Sequence, residues 1–431
     1  MRQETAREPG TAAALAARLP FFYGWVIVYI GFLGVFMMGA TTFWGLPVFV
    51  TPMIDDTGWS RTAIFGALTA RFIVGAFGGL LLGGLADRKG GPGRLLLIGV
   101  LIDAASMASL YWVQSPLQFI LVYGVIGGAG NTGMRLTMAT LIPKWFIQRR
   151  GSAVGYSSMG GGASAFIMVP LIAVLVGELG WREAWVALAA LMLVTVVPCV
   201  PFAVRAPEDM GLHPDGRAPV VSTAARPVIA ERSYSLSEAM HSWVFWILLA
   251  SIVFGSYSLQ TGTIIMVPYF KDIGFSPGVA ASAVSVYGFF SIAARFIWGF
   301  AADRLSVRRA LVMQAFLTAI GAFFMVQIGG QFSLYVISAY MGVMLGGFPT
   351  LGQLIWPEFF GRTHIGSIVG VVQFFSTVIG SAGPLIAGLI LDQTGSYSPA
   401  LWLLVGTWLG CSLAVYAARP RIPVRQPMAP A

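Results

Sequence analysis

Long apolar stretches follow one another along almost the whole chain, each of roughly the 20 residues that a helix needs to cross a bilayer. Short polar loops separate most of them, so consecutive helices are expected to be antiparallel neighbours. Twelve stretches predict twelve membrane spans, numbered here in chain order: 23–51, 60–86, 95–113, 117–143, 151–177, 183–204, 243–269, 278–301, 309–328, 333–357, 364–391 and 398–417.

Three short motifs recur in the second half of the chain after nearly the same interval. They are Gly84-Leu-Ala-Asp-Arg88 with Phe300-Ala-Ala-Asp-Arg304, Gly151-Ser-Ala-Val-Gly155 with Gly366-Ser-Ile-Val-Gly370, and Pro170-Leu-Ile-Ala173 with Pro384-Leu-Ile-Ala387. The offsets of 216, 215 and 214 residues in a chain of 431 indicate a tandem duplication, and a period this long excludes solenoids and propellers. The predicted fold is therefore all-α, with twelve transmembrane helices in two six-helix pseudo-symmetric halves and a site where the halves meet.

The longest polar stretch of the chain separates the two halves. It is rich in Pro, Arg, Ser and Asp, which is typical of a linker. The expected domains are a cytoplasmic N-terminal segment at 1–22, an N-terminal half at 23–204, a cytoplasmic linker at 205–242, a C-terminal half at 243–417 and a cytoplasmic tail at 418–431.

The composition excludes a soluble protein, because 57% of the residues are hydrophobic and only 10% are charged, whereas about a quarter are charged in soluble domains. The net charge of +9 would suit a nucleic acid, but the positions of the basic residues explain it differently. With both termini in the cytoplasm, 20 of the 26 Lys and Arg residues fall on the cytoplasmic side, as the positive-inside rule requires. We therefore predict a multi-pass protein of the inner (plasma) membrane, with cytoplasmic termini and no nucleic-acid partner.

The turn after span 2 carries a glycine- and charge-rich motif, Gly83-Gly-Leu-Ala-Asp-Arg-Lys-Gly-Gly-Pro-Gly-Arg94, with an echo after span 8, Gly299-Phe-Ala-Ala-Asp-Arg304. This motif resembles the signature cytoplasmic loop of the major facilitator superfamily, and with the two six-span repeats the resemblance covers essentially the whole chain. In that family the Asp and Arg of the loop form a charge–helix latch between neighbouring helices. The resemblance thus implies a conformational latch, outside the substrate site, at Asp87 with Arg88 and at Asp303 with Arg304.

A narrower resemblance begins at the end of span 4, in Lys144-Trp-Phe-Ile-Gln-Arg-Arg-Gly-Ser-Ala-Val-Gly-Tyr-Ser-Ser-Met-Gly-Gly-Gly162. It is similar to the fifth-span signature of the monocarboxylate transporters and the related oxalate/formate exchangers, and Tyr23-Gly-Trp25 is consistent with the same group. Span 8 adds Gly288-Phe-Phe-Ser-Ile-Ala-Ala-Arg295, which resembles a family segment in which an Asp precedes a substrate-binding Arg by four positions. Here Ser291 replaces that Asp. The lysine that these transporters carry in span 1 or span 11 is also missing, and Gln373 is the only strongly polar side chain deep in span 11.

Three arginines lie inside predicted spans, where a cation costs at least about 2.5 kcal/mol and normally faces a cavity. At 1.5 Å per residue, Arg295 lies about 12 Å from the end of its span, Arg135 about 13 Å and Arg71 about 18 Å, so all three approach the midplane. Guanidinium groups at this depth suit a carboxylate or another planar anion. The alternative is that one or more of them are structural partners of another charge.

Asp103 is the only carboxylate deep in a predicted span, and it lies on span 3 at about the depth of Arg135 on span 4. One interpretation is that these two residues form a buried pair, which would make Arg135 structural. The other is that Asp103 relays protons and couples them to transport.

Further polar side chains share a helix face with these arginines, or lie on spans that line the cavity in the family that the chain resembles. Those predicted to complete the substrate site are Asn131 beside Arg135, Ser291 beside Arg295, Tyr257 and Gln260 with Thr261 on span 7, and Gln373 on span 11. Packing between helices is the commoner role for any one such residue, and their convergence is what favours a site.

The sequence argues against an enzyme. Gly128-Ala-Gly-Asn-Thr-Gly133 matches the dinucleotide-binding pattern, but it follows no predicted strand and lies inside an apolar helix, so the match is accidental. No phosphate loop, zinc-protease motif or nucleophile elbow occurs, and Cys199 and Cys411 fall in apolar spans without metal-ligand spacing. We expect no enzymatic activity, no cofactor and no metal.

These observations predict a secondary transporter that carries a small organic anion, a mono- or dicarboxylate, by alternating access. Coupling is left open between proton symport, through Asp103 or the substrate's own carboxyl group, and anion exchange. One alternative is an exporter of drug-like or siderophore-like molecules, for which fewer cavity arginines are expected. A second is a non-transporting membrane sensor, which usually needs an appended signalling domain. The predicted partners are the anion, protons and the lipid bilayer, and the protein is expected to be a monomer.

Overall fold

The computed structural model describes residues 11–216, 229–231, 233–380, 382–418 and 425–427. Within these ranges, ten helices are long and apolar enough to cross a membrane, and the other two predicted spans, 4 and 11, each consist of successive helical segments. The predicted all-α fold of twelve spans is confirmed.

The spans have the following bounds: span 1, Gly24–Met38, Gly39–Phe43 and Leu46–Thr57; span 2, Arg61–Leu82 and Gly83–Asp87; span 3, Gly91–Ser109 and Leu110–Trp112; span 4, Pro116–Phe119, Ile120–Ile126 and Gly127–Trp145; span 5, Arg150–Leu179; span 6, Trp181–Val196 and Val197–Phe202; span 7, Trp243–Asp272; span 8, Pro277–Leu305; span 9, Val307–Met325; span 10, Gln331–Phe360; span 11, Ile365–Gly380 and Gly383–Thr394; span 12, Ser398–Ala417.

Capping residues explain where several spans begin and end. The Ser60 hydroxyl accepts a hydrogen bond from the Ala63 backbone N–H at 3.2 Å at the start of span 2, and Ser276 does the same at the start of span 8. Such caps satisfy backbone N–H groups that have no partner within the helix. At the ends of spans 1 and 11, Gly58 and Gly395 adopt left-handed φ angles of 70° and 67°, which stop a helix at little cost only in glycine.

Two spans contain a π-helical segment, in which the backbone takes more residues per turn than in an α-helix. In span 1 this segment is Gly39–Phe43, and in span 4 it is Ile120–Ile126. The Trp44 backbone N–H donates to the Gly39 carbonyl at 2.9 Å and closes the segment in span 1. The wider turn changes the direction in which the residues after it point.

The two halves of the chain contact each other closely through glycines. Where spans 2 and 11 cross, a Cβ atom on Gly83 would lie only 2.6 Å from the Gly366 carbonyl oxygen. Where spans 5 and 8 cross, a Cβ atom on Gly151 would lie 2.0 Å from the Gly299 carbonyl oxygen. Glycine is needed at these crossings, because only a residue without a side chain lets membrane helices come so close.

Large apolar side chains occupy both the interior and the exterior of the bundle. Trp145 and Trp356 are almost completely buried, whereas Phe166 and Phe332 are 80% and 84% exposed. An apolar exterior of this kind is expected of helices whose neighbours are lipid chains.

Short elements lie outside the spans. They are the helices Thr11–Arg18 and Leu236–Met240, the 3-10 turns Pro207–Met210 and Pro214–Gly216, and the strands Ile229–Glu231 and Arg425–Pro427. The two strands pair antiparallel, with Ile229 opposite Pro427.

Candidate functional site

The turn after span 2 contacts the first turn of span 11 through one carboxylate. Asp87 accepts hydrogen bonds from the backbone N–H groups of Gly366 and Ser367 at 2.9 and 3.0 Å, and from the Ser367 hydroxyl at 3.2 Å. The first N–H groups of a helix lack partners within the helix and carry partial positive charge, so a carboxylate is stabilised there. Asp87 thus joins the first half of the chain to the second.

The turn after span 8 makes the reverse contact. Asp303 accepts hydrogen bonds from the backbone N–H groups of Gly151 and Ser152 at 2.6 and 2.8 Å, and from the Ser152 hydroxyl at 2.5 Å. Each half therefore caps a helix of the other half, and two of the duplicated sequence motifs contact each other crosswise. We call the end of the bundle that holds Asp87 and Asp303 the latch end.

Arg88 and Arg304, predicted to belong to the latch, do not contact its aspartates. The Arg88 side chain is exposed and forms no ion pair within the described ranges, and the Arg304 guanidinium lies over the Phe300 ring, 4.5 Å from its centroid. Lys144 supplies a cation instead, because its Nζ atom lies 2.8 Å from the Asp87 carboxylate. The lysine reaches Asp87 from the end of span 4, whereas Arg88 follows Asp87 directly in a turn that directs its side chain outward.

The linker also packs against the latch end. Asp215 accepts hydrogen bonds from the backbone N–H groups of Ile147 and Gln148 at 3.0 and 2.9 Å, just before span 5 begins. Arg205 donates from Nη1 to the Asp87 backbone carbonyl at 3.1 Å. The linker therefore contacts the two places at which the latch holds helix ends.

Arg71 and Asp103 form an ion pair inside the first half. The Arg71 Nη2 atom lies 2.7 and 2.8 Å from the two Asp103 carboxylate oxygens, and the side chains are 1% and 0% exposed. Arg71 also donates from Nε to the Thr42 hydroxyl at 3.2 Å and from Nη1 to the Tyr123 carbonyl at 3.1 Å. The interpretation that Asp103 pairs with Arg135 is therefore wrong. Equal depth on two helices does not fix which helix a side chain faces, and Asp103 faces span 2.

This geometry favours a structural role for the pair. The Arg71 guanidinium makes four hydrogen bonds and lies 4.7 Å from the centroid of the Tyr123 ring. Protein groups thus occupy the directions in which Arg71 was predicted to bind an anion. Asp103 is held by Arg71, and the Asn131 amide also interacts with it, which argues against free exchange of a proton.

The glycine motif of span 4 makes room for this pair. A Cβ atom on Gly127 would lie 2.2 Å from the Arg71 Nη1 atom, and one on Gly128 would lie 2.8 Å from the Arg71 carbonyl oxygen. A Cβ atom on Gly130 would lie 2.5 Å from the Asp103 backbone nitrogen. Close packing of spans 2, 3 and 4 around a buried ion pair therefore explains a pattern that formally matches a nucleotide motif.

Arg295 lies where span 8 crosses span 5, between the two halves of the chain. Its Nη1 atom donates to the Ser158 backbone carbonyl, and a Cβ atom on Gly161 would lie 2.7 Å from the same nitrogen. The Arg295 Nε–H group is buried and has no hydrogen-bond partner in the described part of the chain. The glycine of span 5 thus leaves space for a guanidinium that keeps an unused donor.

Arg135 is half-buried on span 4 and forms no hydrogen bond or ion pair with any described residue. Residues one turn before and after it face span 1. Asn131 donates to the Thr42 hydroxyl at 3.4 Å, and Met138 fills the space beside Gly34. Arg135 therefore belongs to the face of span 4 that turns toward span 1, and its charge has no acidic partner there.

Tyr287 shares the Arg295 face of span 8, and the sequence predictions missed it. It precedes Ser291 by one helical turn and Arg295 by two, and its phenol interacts with the Ser291 hydroxyl and with the charge of Arg295. Ser291 itself packs against span 10, where a Cβ atom on Gly346 would lie 2.7 Å from the Ser291 Cα atom. The four-residue spacing was the available signal, because it places all three side chains on one face.

Spans 7 and 11 pack against each other beside the predicted site residue Gln260, whereas Gln373 bonds within its own span. A Cβ atom on Gly380 would lie 2.4 Å from the Gln260 Nε2 atom, and Gln373 donates to the Thr377 hydroxyl at 3.2 Å within span 11. Tyr257 is 8% exposed. In the described ranges, no hydrogen bond joins this group to the intramembrane arginines.

Comparisons with known proteins identify what the chain is similar to. The family model of the Major Facilitator Superfamily matches residues 31–270 and 249–430. Monocarboxylate transporter 12 of Xenopus laevis is 26% identical over 343 residues, which are 75% of this chain and 73% of that protein. The Oxalate:formate antiporter of Oxalobacter formigenes is 24% identical over 261 residues, which are 60% of this chain and 58% of that protein.

Among solved structures, the proton:xylose symporter XylE bound to 6-bromo-6-deoxy-D-glucose matches with a TM-score of 0.71. The match covers 92% of this chain and 96% of that chain, at 13% sequence identity. A likeness at this identity concerns the fold alone.

Proposed function

The chain belongs to the Major Facilitator Superfamily, and from this we propose that it is a secondary transporter that carries a small organic anion by alternating access of its two halves. As a member of this superfamily, it is a multi-pass membrane transporter and not an enzyme. The monocarboxylate transporters and the oxalate:formate antiporter among its relatives support a carboxylate as the substrate.

The contrast between two arginines carries this proposal. Arg71 has its charge neutralised by Asp103 and its donors occupied. Arg295 instead donates one hydrogen bond to a neutral carbonyl, and its buried Nε–H has no partner among the described residues. A buried donor without a partner costs about 1–3 kcal/mol, and more when the group is charged. An anion that binds Arg295 removes this cost, and the forked donors of a guanidinium match a carboxylate.

The other proposed substrate contacts lie on span 8 and on neighbouring spans. Ser291 and Tyr287 share its helix face, and Arg135 supplies a second uncompensated cation from span 4. Asn131 on span 4 remains a proposed contact, and Tyr257, Gln260 and Gln373 remain proposed contacts of a state in which spans 7 and 11 have moved. Binding of the substrate by Arg295 alone supports a monocarboxylate. Binding by Arg135 as well would support a dicarboxylate.

We propose anion exchange as the mode of coupling. Asp103 is the only carboxylate fully buried in a span among the residues whose side chains are described, and its pairing with Arg71 argues against a proton-carrying role. Ser291 takes the position at which the family segment has an acid. Exchange needs no titrating protein group, because one anion leaves Arg295 as the next one arrives.

The positive-inside rule supports a cytoplasmic latch end in the inner (plasma) membrane, with both termini on that side. The proposed transporting halves are 23–204 and 243–417, joined by the linker 205–242. The caps made by Asp87 and Asp303 close the cytoplasmic side in the state described here, and their release opens it.

Counterflow in proteoliposomes tests the proposal. Vesicles that contain the purified full-length protein and unlabelled lactate, oxalate or succinate are expected to accumulate the same labelled acid. Arg295→Ala should abolish this uptake, and Arg295→Lys should also fail, because a compact ammonium cannot replace the guanidinium fork. Arg309→Ala, at an exposed position at the start of span 9, is the matched control and should behave as wild type.

Three results would contradict the proposal or part of it. Wild-type counterflow by Arg295→Ala would remove this residue from the site. Failure of every carboxylate to exchange, together with transport of a neutral or cationic drug-like molecule, would favour the exporter alternative. Uptake that requires a pH gradient and is absent from counterflow would contradict exchange while leaving the substrate class intact.

A further inference from the structure

Trp44 and Arg295 reach the same turn of span 5 from opposite halves of the chain. The Trp44 indole donates from Nε1 to the Gly161 carbonyl at 3.0 Å, and Arg295 donates from Nη1 to the Ser158 carbonyl. A Cβ atom on Gly161 would lie 2.7 Å from that guanidinium nitrogen. The indole and the guanidinium are therefore neighbours.

This meeting point lies deep in the bundle. Gly161 is about 15 Å along the helix from Gly151 at the latch end. The Gly161 carbonyl that accepts the Trp44 bond comes three residues later in span 5 than the Ser158 carbonyl that accepts the Arg295 bond, so the indole nitrogen is bound on the side of the guanidinium that is away from the latch end. Both caps lie at the latch end, so a ligand that reaches Arg295 while they are formed must come from the other side, where the indole lies.

The backbone of span 1 holds Trp44 in this position. Trp44 directly follows the π-helical segment, and its backbone N–H donates to the Gly39 carbonyl at 2.9 Å. Thr42 within that segment accepts a hydrogen bond from Arg71 at 3.2 Å. The buried ion pair of the first half thus fixes the turn that presents Trp44, and π-helical segments occur frequently at functional sites.

The Trp44 ring keeps an uncovered face. Its polar nitrogen is satisfied, yet the residue is 44% exposed. The preceding Phe43 is also exposed, at 49%, but its ring packs against Phe72 of span 2 at a centroid distance of 5.5 Å and has no contact with Arg295 among the described residues. The uncovered indole is therefore a flat apolar surface beside a cation, with its hydrogen-bonding group turned away.

We propose that Trp44 is a specificity-determining residue, which packs its indole face against the carbon body of an anion whose carboxylate is held by Arg295. This inference rests on the proposed function. It narrows the substrate to monocarboxylates with an apolar body, above all an aromatic one. The face of an indole ring carries partial negative charge, so a second carboxylate on that side of the substrate is repelled.

Ligand affinities of the purified full-length protein test this assignment. Phenylacetate and acetate share a carboxylate and differ by an aromatic ring, and 4-carboxyphenylacetate adds a second carboxylate to that ring. Wild type should bind phenylacetate more tightly than either of the other two acids. Trp44→Ala should weaken phenylacetate binding about three- to tenfold, as expected for a lost ring–ring contact, and leave acetate binding unchanged.

Two further variants separate this role from a structural one. Trp44→Phe keeps a flat ring but lacks the N–H group, and it should retain the preference for phenylacetate. Trp402→Ala removes a tryptophan of similar exposure, 50%, from span 12, and it should change neither affinity. If Trp44→Ala is not recovered in folded form, Trp44→Leu provides the same comparison.

Three outcomes would overturn the inference. Equal weakening of phenylacetate and acetate by Trp44→Ala would mean that Trp44 only supports the fold. Unchanged affinities of Trp44→Ala for both acids, with both acids bound by wild type, would remove Trp44 from the site and leave the proposed function standing. If wild type binds none of the acids, the proposed function fails, and this inference fails with it.

Discussion

Neutralising Asp103 tests the buried pair of the first half directly. Asp103→Asn keeps the size of the side chain and leaves the Arg71 guanidinium charged at 2% exposure. Losing one partner of a buried ion pair costs about 3–5 kcal/mol. The distances of 2.7 and 2.8 Å to both carboxylate oxygens place the expected loss in the upper part of that range. The remaining bonds of Arg71 to Thr42 and the Tyr123 carbonyl satisfy donors but do not neutralise the charge.

Thermal unfolding of the detergent-purified protein, with the yield of monodisperse protein, measures this loss. Two double variants identify the partner of Asp103. Asp103→Asn with Arg71→Gln removes both buried charges and should recover most of the stability, because replacing a buried pair by neutral groups is often close to neutral. Asp103→Asn with Arg135→Gln leaves Arg71 unpaired and should remain as unstable as the single variant.

The reverse pattern, with recovery only by the Arg135 variant, would refute the pairing. A stable Asp103→Asn protein would refute the expected loss of folding stability, because it would show that Arg71 is not left as an uncompensated buried charge. If that stable protein lost proton-driven uptake and kept exchange, Asp103 would be a coupling carboxylate and the proposed mode of coupling would be wrong.

Two other predictions concern the latch end. Asp87→Asn and Asp303→Asn should each slow exchange severalfold with unchanged substrate affinity, because each removes a carboxylate cap worth about 1 kcal/mol from one helix; loss of binding with an unchanged rate per bound substrate would place the residue in the site. Gly83→Val should hold the latch end open, because its Cβ would lie 2.6 Å from a backbone oxygen of span 11. A cysteine introduced at Ser291 should then be labelled faster by a thiol reagent that is added from the latch end. Gly84→Val is the control, since a Cβ there meets only a hydroxyl at 3.5 Å, and equal labelling of the two variants would contradict the expectation.

The apolar pattern predicted the spans because bilayer thickness sets their length. The pattern predicted the ends of some spans too early in the chain, because the helices continue beyond their apolar stretches. Span 1 was predicted to end at residue 51 and runs to Thr57, and span 7 was predicted to end at 269 and runs to Asp272. The pattern also could not predict the π-helical segment at Gly39–Phe43, because apolar composition carries no information on which carbonyl accepts each hydrogen bond.

The ion-pair partners of the buried charged residues were harder to predict than the depths of these residues in the membrane. The helical rise placed Arg71, Arg135 and Asp103 near the midplane, but the choice of partner depends on how three helices pack. The glycines of span 4 held that information and were interpreted only as a false nucleotide motif. Trp44 was missed because a tryptophan in an apolar span is ordinary, and its contact with Gly161 depends on the π-helical segment before it.

The two crosswise caps obey the rule of an isologous interface, in which each of two identical partners gives the contact that it receives. Here both partners belong to one chain. A six-helix ancestor that paired with a copy of itself would close with the same two caps, since Asp87 and Asp303 stand at equivalent positions of the repeat.

The offset of 216 residues that relates these aspartates also relates Gly79 to Arg295. The backbones at these two positions meet equivalent glycines, since a Cβ atom on Gly370 would lie 2.3 Å from the Gly79 oxygen and one on Gly155 would lie 2.9 Å from the Arg295 oxygen. Arginine thus breaks the two-fold relation at a position where the other copy keeps glycine. The anion that we propose at Arg295 would occupy only one of two equivalent helix crossings, so its binding would change the contacts of one crossing and leave the equivalent crossing unchanged.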